Sequence, residues 1–310
     1  MKRFLGPALI LLCTVIWGAA FLAQKLGADH FGPFALTASR NLLAAAVLLG
    51  AIACRNRFVA RARRELGSTR IDPHWNRPTV LGGAISGVCL FVAMLAQQLG
   101  IEHTTPGVSA FLTANYILIV PIFAWVVGKG CPGLFIWIGV VLALFGSFLI
   151  SIGVADDWSG IGPGELWTLA CAVLFAVQIM VVDHFAAQAD MLAFSFVQML
   201  VAGLVALPFV LLPGEWARLS LADFTAGLPA LLFLGVLSSG VAYTLQNLGQ
   251  ARTPPALAAL IMSMESVFGA LFGWMIRGDV LSDRQLWGCA LVFAAVILSQ
   301  LRIVRLKTSV

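Results

Sequence analysis

Residues 92–106 read VAMLAQQLGIEHTTP, and residues 241–255 read VAYTLQNLGQARTPP. Shifted by 149 residues, the two stretches align without a gap and share residues at many positions, Gln97 with Gln246 among them. Shared apolar residues alone would carry little weight, because apolar helices resemble one another in composition. The matching glutamine, glycine, threonine and proline positions instead indicate that the chain contains an internal repeat.

The repeat extends well beyond these two stretches. The same shift aligns further identical pairs, namely Phe123/Phe272, Trp125/Trp274, Gly139/Gly288 and Leu142/Leu291. Nearer the N-terminus, a shift of 158 residues pairs Cys13 with Cys171 and Trp17 with Phe175. We therefore divide the chain into two halves, residues 1–158 and residues 159–310.

The composition excludes most classes of protein. Of the 310 residues, 60% are hydrophobic and only 11% are charged, against roughly 25% charged residues in an ordinary soluble domain. A water-soluble fold of this size could not cover its surface with so few charges, and a disordered chain would need low hydrophobicity. The sequence therefore predicts an integral membrane protein surrounded by lipid, with no nucleic-acid partner despite its net charge of +5.

Ten apolar runs have the length of transmembrane helices, which need about 20 residues. Transmembrane β-strands would instead be about 10 residues long with alternating polarity. The predicted fold is thus an all-α integral membrane protein with ten transmembrane helices. The runs are Leu5 to Gly27, Pro33 to Ala53, Thr79 to Gly100, Gly107 to Val127, Leu134 to Gly153, Gly164 to His184, Met191 to Leu212, Ala226 to Asn247, Pro255 to Ile276 and Arg284 to Val304.

Each half contains five predicted spans, and this odd number decides how the halves are related. The second half must enter the membrane from the side opposite to the first, which makes a 5+5 inverted repeat with a pseudo-two-fold axis in the membrane plane. Such a repeat can open one site to either side in turn, so it favours a transporter over a channel or an enzyme. The sequence contains no Gly-x-x-x-x-Gly-Lys-Ser/Thr motif, so a proton or substrate gradient is the predicted energy source.

The distribution of basic residues predicts the orientation. Of the 19 Lys and Arg residues, 14 fall on the side of the membrane where the N-terminus lies, and only Arg218, Arg277 and Arg284 fall on the other side. Lysine and arginine collect on the cytoplasmic side of membrane proteins. We therefore expect a multi-pass protein of the cytoplasmic (inner) membrane with both termini in the cytoplasm.

Residues 258–274, AALIMSMESVFGALFGW, resemble the Glu-Pro-Val-Phe and Gly-Trp pattern of EamA-type transporters of the drug/metabolite transporter superfamily. Trp17-Gly18 and the context of Arg40 support the resemblance, which covers nearly the whole chain. It implies a secondary carrier, often an exporter of amino acids and related metabolites, with a central cavity open to one side at a time. Ser266 stands where the family often has proline, so a proline kink beside Glu265 is not expected here.

Glu265 is the leading candidate for a substrate or coupling residue. It lies in the middle of the ninth span, where an ionisable group costs several kcal/mol unless it is paired, hydrated or protonated. It could bind a substrate amine or a proton, or it could be a structural carboxyl that bonds between helices. The repeat pairs Glu265 with Tyr116 and Met264 with Asn115, so we expect these positions to face one another near the pseudo-two-fold axis.

The remaining candidates are polar or aromatic residues within the other spans. Tyr243 carries a hydroxyl that needs a partner or water when buried, and Trp17 lies in mid-span. Arg40 lies about two turns into the second span, where it could hold a substrate carboxylate, make a structural ion pair or clamp backbone carbonyls. Gln97 and Gln246 lie at equivalent ends of the third and eighth spans, as gates or as ordinary helix-end polar groups.

These features predict a secondary transporter that exports a small metabolite, an amino acid or a derivative, by alternating access. An exporter of drugs or organic cations is the alternative. An integral-membrane enzyme is remote, because no pair of Asp residues falls in the central spans and the four His residues are scattered. We expect a small-molecule substrate and protons as partners, and no metal or cofactor. The sequence is also compatible with a homodimer.

Overall fold

The computed structural model of the chain describes residues 4–66, 74–152, 162–216, 220–278 and 280–305. The predicted division between residues 158 and 159 lies outside the described residues. So do Lys2, Arg3, Arg70 and Lys307, which contributed to the predicted orientation.

The described part of the first half folds into the five predicted spans. Its helices are α1 (Leu5–Ala28), α2 (Pro33–Leu66), α3 (Arg77–His103), α4 (Pro106–Thr113), α5 (Tyr116–Val126) and α6 (Leu134–Ile152). The fourth span is made of two helices, α4 and α5.

The second half repeats this order with more interruptions. Its α-helices are α7 (Pro163–Phe185), α8 (Met191–Ala206), α9 (Pro213–Trp216), α10 (Leu221–Leu232), α11 (Tyr243–Gln250), α12 (Pro255–Met262), α13 (Met264–Phe272) and α14 (Asp283–Arg305). A 3₁₀ segment (Leu207–Leu211) follows α8, and π-helical segments follow α10 (Phe233–Ala242) and α13 (Gly273–Arg277).

The prediction of an all-helical membrane protein is confirmed. Within the described ranges, nine helical stretches are long and apolar enough to cross a membrane. Helix α14, with 23 residues, supplies the tenth long segment. The chain is therefore a multi-pass membrane protein. We call the side where α1 begins and α14 ends the terminal face, and the other side the opposite face.

The starts of the helices follow the two shifts found in the sequence. Helices α1 and α7 begin at Leu5 and Pro163, and α2 and α8 at Pro33 and Met191, each pair 158 residues apart. Helices α4 and α12 begin at prolines that are 149 residues apart, as do α6 and α14 at Leu134 and Asp283. Proline fits the first turn of a helix because its missing N–H would have no partner there.

Three spans differ from their predicted form. The second helix continues to Leu66, well beyond the predicted end of the span at Ala53, because Ala and Arg favour helix and the added turns need not lie in lipid. The fourth and ninth spans, predicted as continuous, are each interrupted halfway, after Thr113 and at Ser263.

Small residues let the spans approach closely. A Cβ on Gly146 would lie 2.7 Å from the carbonyl oxygen of Gly288, and one on Gly288 would lie 2.6 Å from that of Gly146. Helices α6 and α14 therefore cross backbone to backbone, as small residues allow in membrane proteins. A similar approach joins α1 to α13, where Gly18 faces Phe268 and Gly269.

Replacing Gly18 with alanine should lower the free energy of unfolding by about 1–3 kcal/mol, the usual cost of overpacking. The new Cβ would lie 2.5 Å from the Cβ of Phe268 and 2.8 Å from the amide nitrogen of Gly269, so α1 and α13 would have to separate. Reversible unfolding in mixed micelles measures the loss. Gly50→Ala is the matched control, because nothing lies within 4 Å of its Cβ position. An equal effect of both changes would contradict this packing.

A polar cluster at the terminal face joins α2, the segment before α3 and the start of α8. Arg55 Nη1 donates to both carboxylate oxygens of Asp190 at 2.9 and 2.8 Å, and His74 Nδ1 lies 2.8 Å from Asp190 Oδ2. Asp190 also accepts hydrogen bonds from the amides of Leu192 and Ala193, so it caps α8. Burial alone would raise the pKa of Asp190, but the hydrogen bonds and the Arg55 charge outweigh it and hold the pKa below its ordinary value.

Asp190→Ala should lower the free energy of unfolding at pH 7 by about 1–2 kcal/mol, the cost of losing a helix cap. Because the folded-state pKa is depressed, the ionised Asp190 stabilises the fold above its unfolded pKa, about 3.9, and this contribution is lost as the pH falls through the folded value. The difference in the free energy of unfolding between wild type and Asp190→Ala should therefore shrink below about pH 4. Asp190→Asn, which keeps a capping oxygen, should lose less. A difference that stays constant from pH 7 to pH 3 would contradict the role of the charge.

Candidate functional site

A small cavity lies at the centre of the bundle, between the two halves. Its volume is about 40 Å³, room for only a few water molecules. Most of the residues that the sequence predicted for the site line it, namely Trp17, Arg40, Gln97, Tyr116, Tyr243, Gln246 and Glu265. The sequence analysis did not select its other lining residues, which are Ala20, Phe21, Gln24, Thr113, Phe175, Gln178, Ile179, Ser238 and Met262.

Glu265 and Tyr116 meet in this cavity. The Tyr116 hydroxyl donates to Glu265 Oε1 at 3.0 Å, and each residue is only 4% exposed. The two residues are 149 positions apart, so they are equivalent in the repeat. This contact places the pseudo-two-fold axis at the carboxylate, as expected from the repeat.

Each of these residues lies directly after a break in its span. Tyr116 begins α5 after the turn at residues 114–115, and Glu265 is the second residue of α13 after the turn at Ser263. At the second break, the Ser266 amide bonds to the Ser263 carbonyl, three residues back, in place of the four-residue helical spacing. Interrupted helices beside a repeat axis are a feature of substrate sites in transporters, and here the break forms without proline at position 266.

Asn115 does not join this group. Its side-chain amide donates to the carbonyls of Phe111 and Leu112 at 3.1 and 3.0 Å, which closes the end of its own helix. It is also absent from the lining of the central cavity. The expectation that Asn115 faces the axis beside Tyr116 is therefore wrong for this conformation, because the helix break turns its amide onto backbone groups that the break left unpaired.

Arg40 is held against the eighth span. Its Nε donates to Ser239 Oγ at 2.9 Å and its Nη2 donates to Ser238 Oγ at 3.0 Å. Both serines belong to the π-helical segment, whose wider turn presents two consecutive hydroxyls to the guanidinium. Among the described residues, no carboxylate lies within salt-bridge distance of Arg40, although the side chain is 4% exposed. Of the alternatives considered for Arg40, the structural ion pair is thus not formed among the described residues, and two serine hydroxyls hold the guanidinium instead.

Trp17 and Tyr243 form one aromatic wall of the cavity. Their ring centroids are 4.8 Å apart and the rings are inclined at 59°. The Trp17 indole N–H donates to the Ser238 carbonyl at 3.3 Å, which fixes the ring beside the π-helical segment. The two rings present apolar and π-electron surface next to a carboxylate and a guanidinium.

The two predicted gate residues both line the cavity but have different surroundings. Gln97 makes one long hydrogen bond, 3.3 Å to Thr113 Oγ1. Gln246 donates to Gln250 Oε1 at 2.9 Å and to Gln178 Oε1 at 3.4 Å. Helix α3 continues to His103 and α11 to Gln250, so both glutamines lie deeper than the predicted span ends.

A polar network on the terminal side of the cavity escaped the sequence analysis. Asn247 donates to Gln198 Oε1 at 2.7 Å, and Gln198 and Gln178 both donate to Ser86 Oγ, at 2.9 and 3.4 Å. All of these residues are buried. A signal was present, since Gln178 and Gln198 are amides in the middle of apolar spans. The network joins spans of both halves and closes the cavity toward the terminal face.

An inverted pair of five-helix repeats around a buried, polar, axial cavity defines a membrane transporter. The EamA-like transporter family model matches the chain twice, at residues 4–152 and 162–301. The chain therefore belongs to the EamA-like transporter family, and each half carries one copy of its domain.

Two known proteins of similar sequence are transporters by name, and a third is a WAT1-related protein. An uncharacterised transporter of Archaeoglobus fulgidus is 26% identical over 303 residues, which cover 98% of this chain and 88% of that protein. An S-adenosylmethionine/S-adenosylhomocysteine transporter of Chlamydia trachomatis is 22% identical over 304 residues, which cover 92% of this chain and 88% of that protein. A chloroplastic WAT1-related protein of Arabidopsis thaliana is 23% identical over 301 residues, 95% of this chain and 69% of that protein.

A solved crystal structure has the same fold. It superposes with a TM-score of 0.73 at 21% sequence identity, over 97% of this chain and 98% of the other. At this identity the match describes the fold and not the substrate.

Proposed function

We propose that the chain is a secondary transporter that exports a small zwitterionic metabolite, an amino acid or a derivative of one, across the cytoplasmic membrane by alternating access. The observation that carries the proposal is a buried carboxylate and a buried guanidinium that line one cavity without pairing to each other. Glu265 is bonded to Tyr116, and Arg40 is bonded to Ser238 and Ser239.

Such an arrangement matches the chemistry of an α-amino acid. A buried charge is costly unless a counter-charge or hydrogen bonds compensate for it. The ammonium group of an amino acid would satisfy Glu265, and its carboxylate would satisfy Arg40. S-adenosylmethionine, named in one relative, also ends in an α-amino acid group, which fits the same pair of residues.

Export of an organic cation is the second candidate function, and the aromatic wall favours it. Trp17 and Tyr243 lie beside Glu265, and a cation is attracted both to a carboxylate and to the faces of aromatic rings. This candidate leaves Arg40 without a role in binding, and a second positive charge in the cavity would oppose a cation.

Counterflow into proteoliposomes tests the proposal. Vesicles are preloaded with one unlabelled compound, and the entry of its labelled form is followed for amino acids, for the matching amines without a carboxylate, and for organic cations. We expect exchange of amino acids and little exchange of the amines. Exchange of the amines and organic cations without exchange of amino acids would favour the second candidate and reject the first.

A further inference from the structure

A second cavity lies between the central cavity and the opposite face. Its volume is about 350 Å³, within the range of small-molecule binding pockets, whereas the central cavity is far below it. Helices α1, α4, α6 and α13 form its walls, and the turn before α14 forms part of its rim. Phe21 lines both cavities, so the two cavities are neighbours at this residue.

The second cavity has an apolar character because its polar side chains are already bonded within the protein. Ser151 Oγ donates to the Gly107 carbonyl at 3.0 Å, and Ser266 Oγ donates to the Ser263 carbonyl at 2.9 Å. Gln285 Nε2 donates to the Ile150 carbonyl at 3.2 Å, and its Oε1 accepts the Ser282 amide at 2.9 Å. These groups have little left to offer a polar ligand, so the cavity suits a hydrocarbon or aromatic group.

We propose that the second cavity receives the apolar side chain of the transported amino acid, and that Phe21 determines how large this side chain can be. The inference rests on the proposed function, in which Glu265 and Arg40 hold the charged end of the substrate. The central cavity has no room for a bulky side chain in addition. The second cavity is its neighbour at Phe21, and in this proposal a change of the Phe21 rotamer joins the two volumes.

Gly18 and Gly269 lie at the wall of the second cavity. Gly18 and Gly269 face each other across α1 and α13, and a Cβ on Gly269 would lie 3.6 Å from the Gly18 carbonyl oxygen, an ordinary contact. The neighbouring Ala270 also lines this cavity and is half-buried. A larger side chain at position 270 would therefore occupy the cavity while Glu265 and Arg40 keep their places.

Ala270→Phe tests the inference by filling the second cavity. Counterflow is measured for alanine, leucine, phenylalanine and tryptophan, with variants checked for monodispersity in detergent. We expect Ala270→Phe to reduce the exchange of phenylalanine and tryptophan by about tenfold or more, and that of alanine by less than about twofold. Phe21→Ala should raise the tryptophan-to-alanine ratio. Ala294→Phe, the same change at an exposed position of α14, is the matched control.

The outcomes separate this inference from the proposed function. If alanine is exchanged and Ala270→Phe slows every amino acid equally, the second cavity does not hold the side chain, and only this inference fails. If the size profile is unchanged and native mass spectrometry shows a phospholipid lost in Ala270→Phe, the cavity holds a lipid chain and the inference is overturned. If wild type exchanges no amino acid of any size, the proposed function fails and the inference fails with it.

Discussion

Glu265→Gln is expected to abolish accumulation of substrate driven by a pH gradient while downhill exchange continues. A glutamine keeps the size and hydrogen-bonding capacity of the side chain but cannot bind and release a proton. In wild type, the carboxylate can be neutralised either by a proton or by the substrate ammonium, because an unpaired charge at this depth is costly. We propose that this mutual exclusion exchanges protons for substrate across the membrane.

The measurement compares uptake into proteoliposomes with and without an imposed pH gradient. Wild type should accumulate substrate above the external concentration only when the gradient is present, and Glu265→Gln should reach the same level in both conditions. Glu165→Gln provides the matched control. Glu165 is also a buried carboxylate, but it bonds to Thr104 and to the Gly162 amide and does not line the central cavity. Gradient-driven accumulation by Glu265→Gln at the wild-type level would show that this carboxylate is structural.

The meeting of Glu265 with Tyr116 follows from the sequence through symmetry. An inverted repeat places equivalent residues of its halves around one axis, so a shift of 149 residues was enough to bring these two positions together. The same shifts predict the starts of α7, α8, α12 and α14 from those of the first half. Predictions that rest on the shift between the two repeats are therefore correct without knowledge of side-chain contacts.

The partners of Arg40 could not be predicted in this way. Its serines lie in a π-helical segment, and the sequence of residues 233–242 reads as an ordinary apolar span. Widened helical turns arise from packing against neighbouring helices, since they are unfavourable in isolation. Asn115 illustrates the same limit, because a break in the helix turned its amide away from the axis.

The break in the ninth span forms without the proline that the family resemblance indicates. The family resemblance indicates a proline beside Glu265, and Ser266 replaces it here. The helix is nevertheless interrupted one turn earlier, where Ser263 Oγ donates to the Leu260 carbonyl at 2.7 Å. A serine that bonds back to its own helix can bend it as proline does. The position of the break is thus preserved by the repeat and not by one residue type.

Arg40→Lys is expected to raise the KM for amino acids by about 10–100-fold, the effect of losing a charged hydrogen bond worth roughly 1.5–3 kcal/mol. Two guanidinium nitrogens are bonded to Ser238 and Ser239, while Nη1 makes no hydrogen bond to the described residues. This nitrogen, on a side chain that lines the cavity, remains to bind a substrate carboxylate. A lysine keeps the charge, but its three donors share one nitrogen, and it lacks the planar fork whose separate nitrogens reach the two serines and the substrate at once.

Counterflow of paired compounds measures this loss, one compound with the carboxylate and one without it. Arg40→Lys should raise the KM only for the compound that carries the carboxylate, since the group that binds the ammonium is unchanged. Arg252→Lys is the matched control, because Arg252 bonds to the Leu248 carbonyl, is exposed, and is not among the lining residues of the central cavity. An equal rise in KM for both compounds would mean that Arg40 only holds the second span against the eighth. The cavity would then recognise a cation through Glu265, Trp17 and Tyr243.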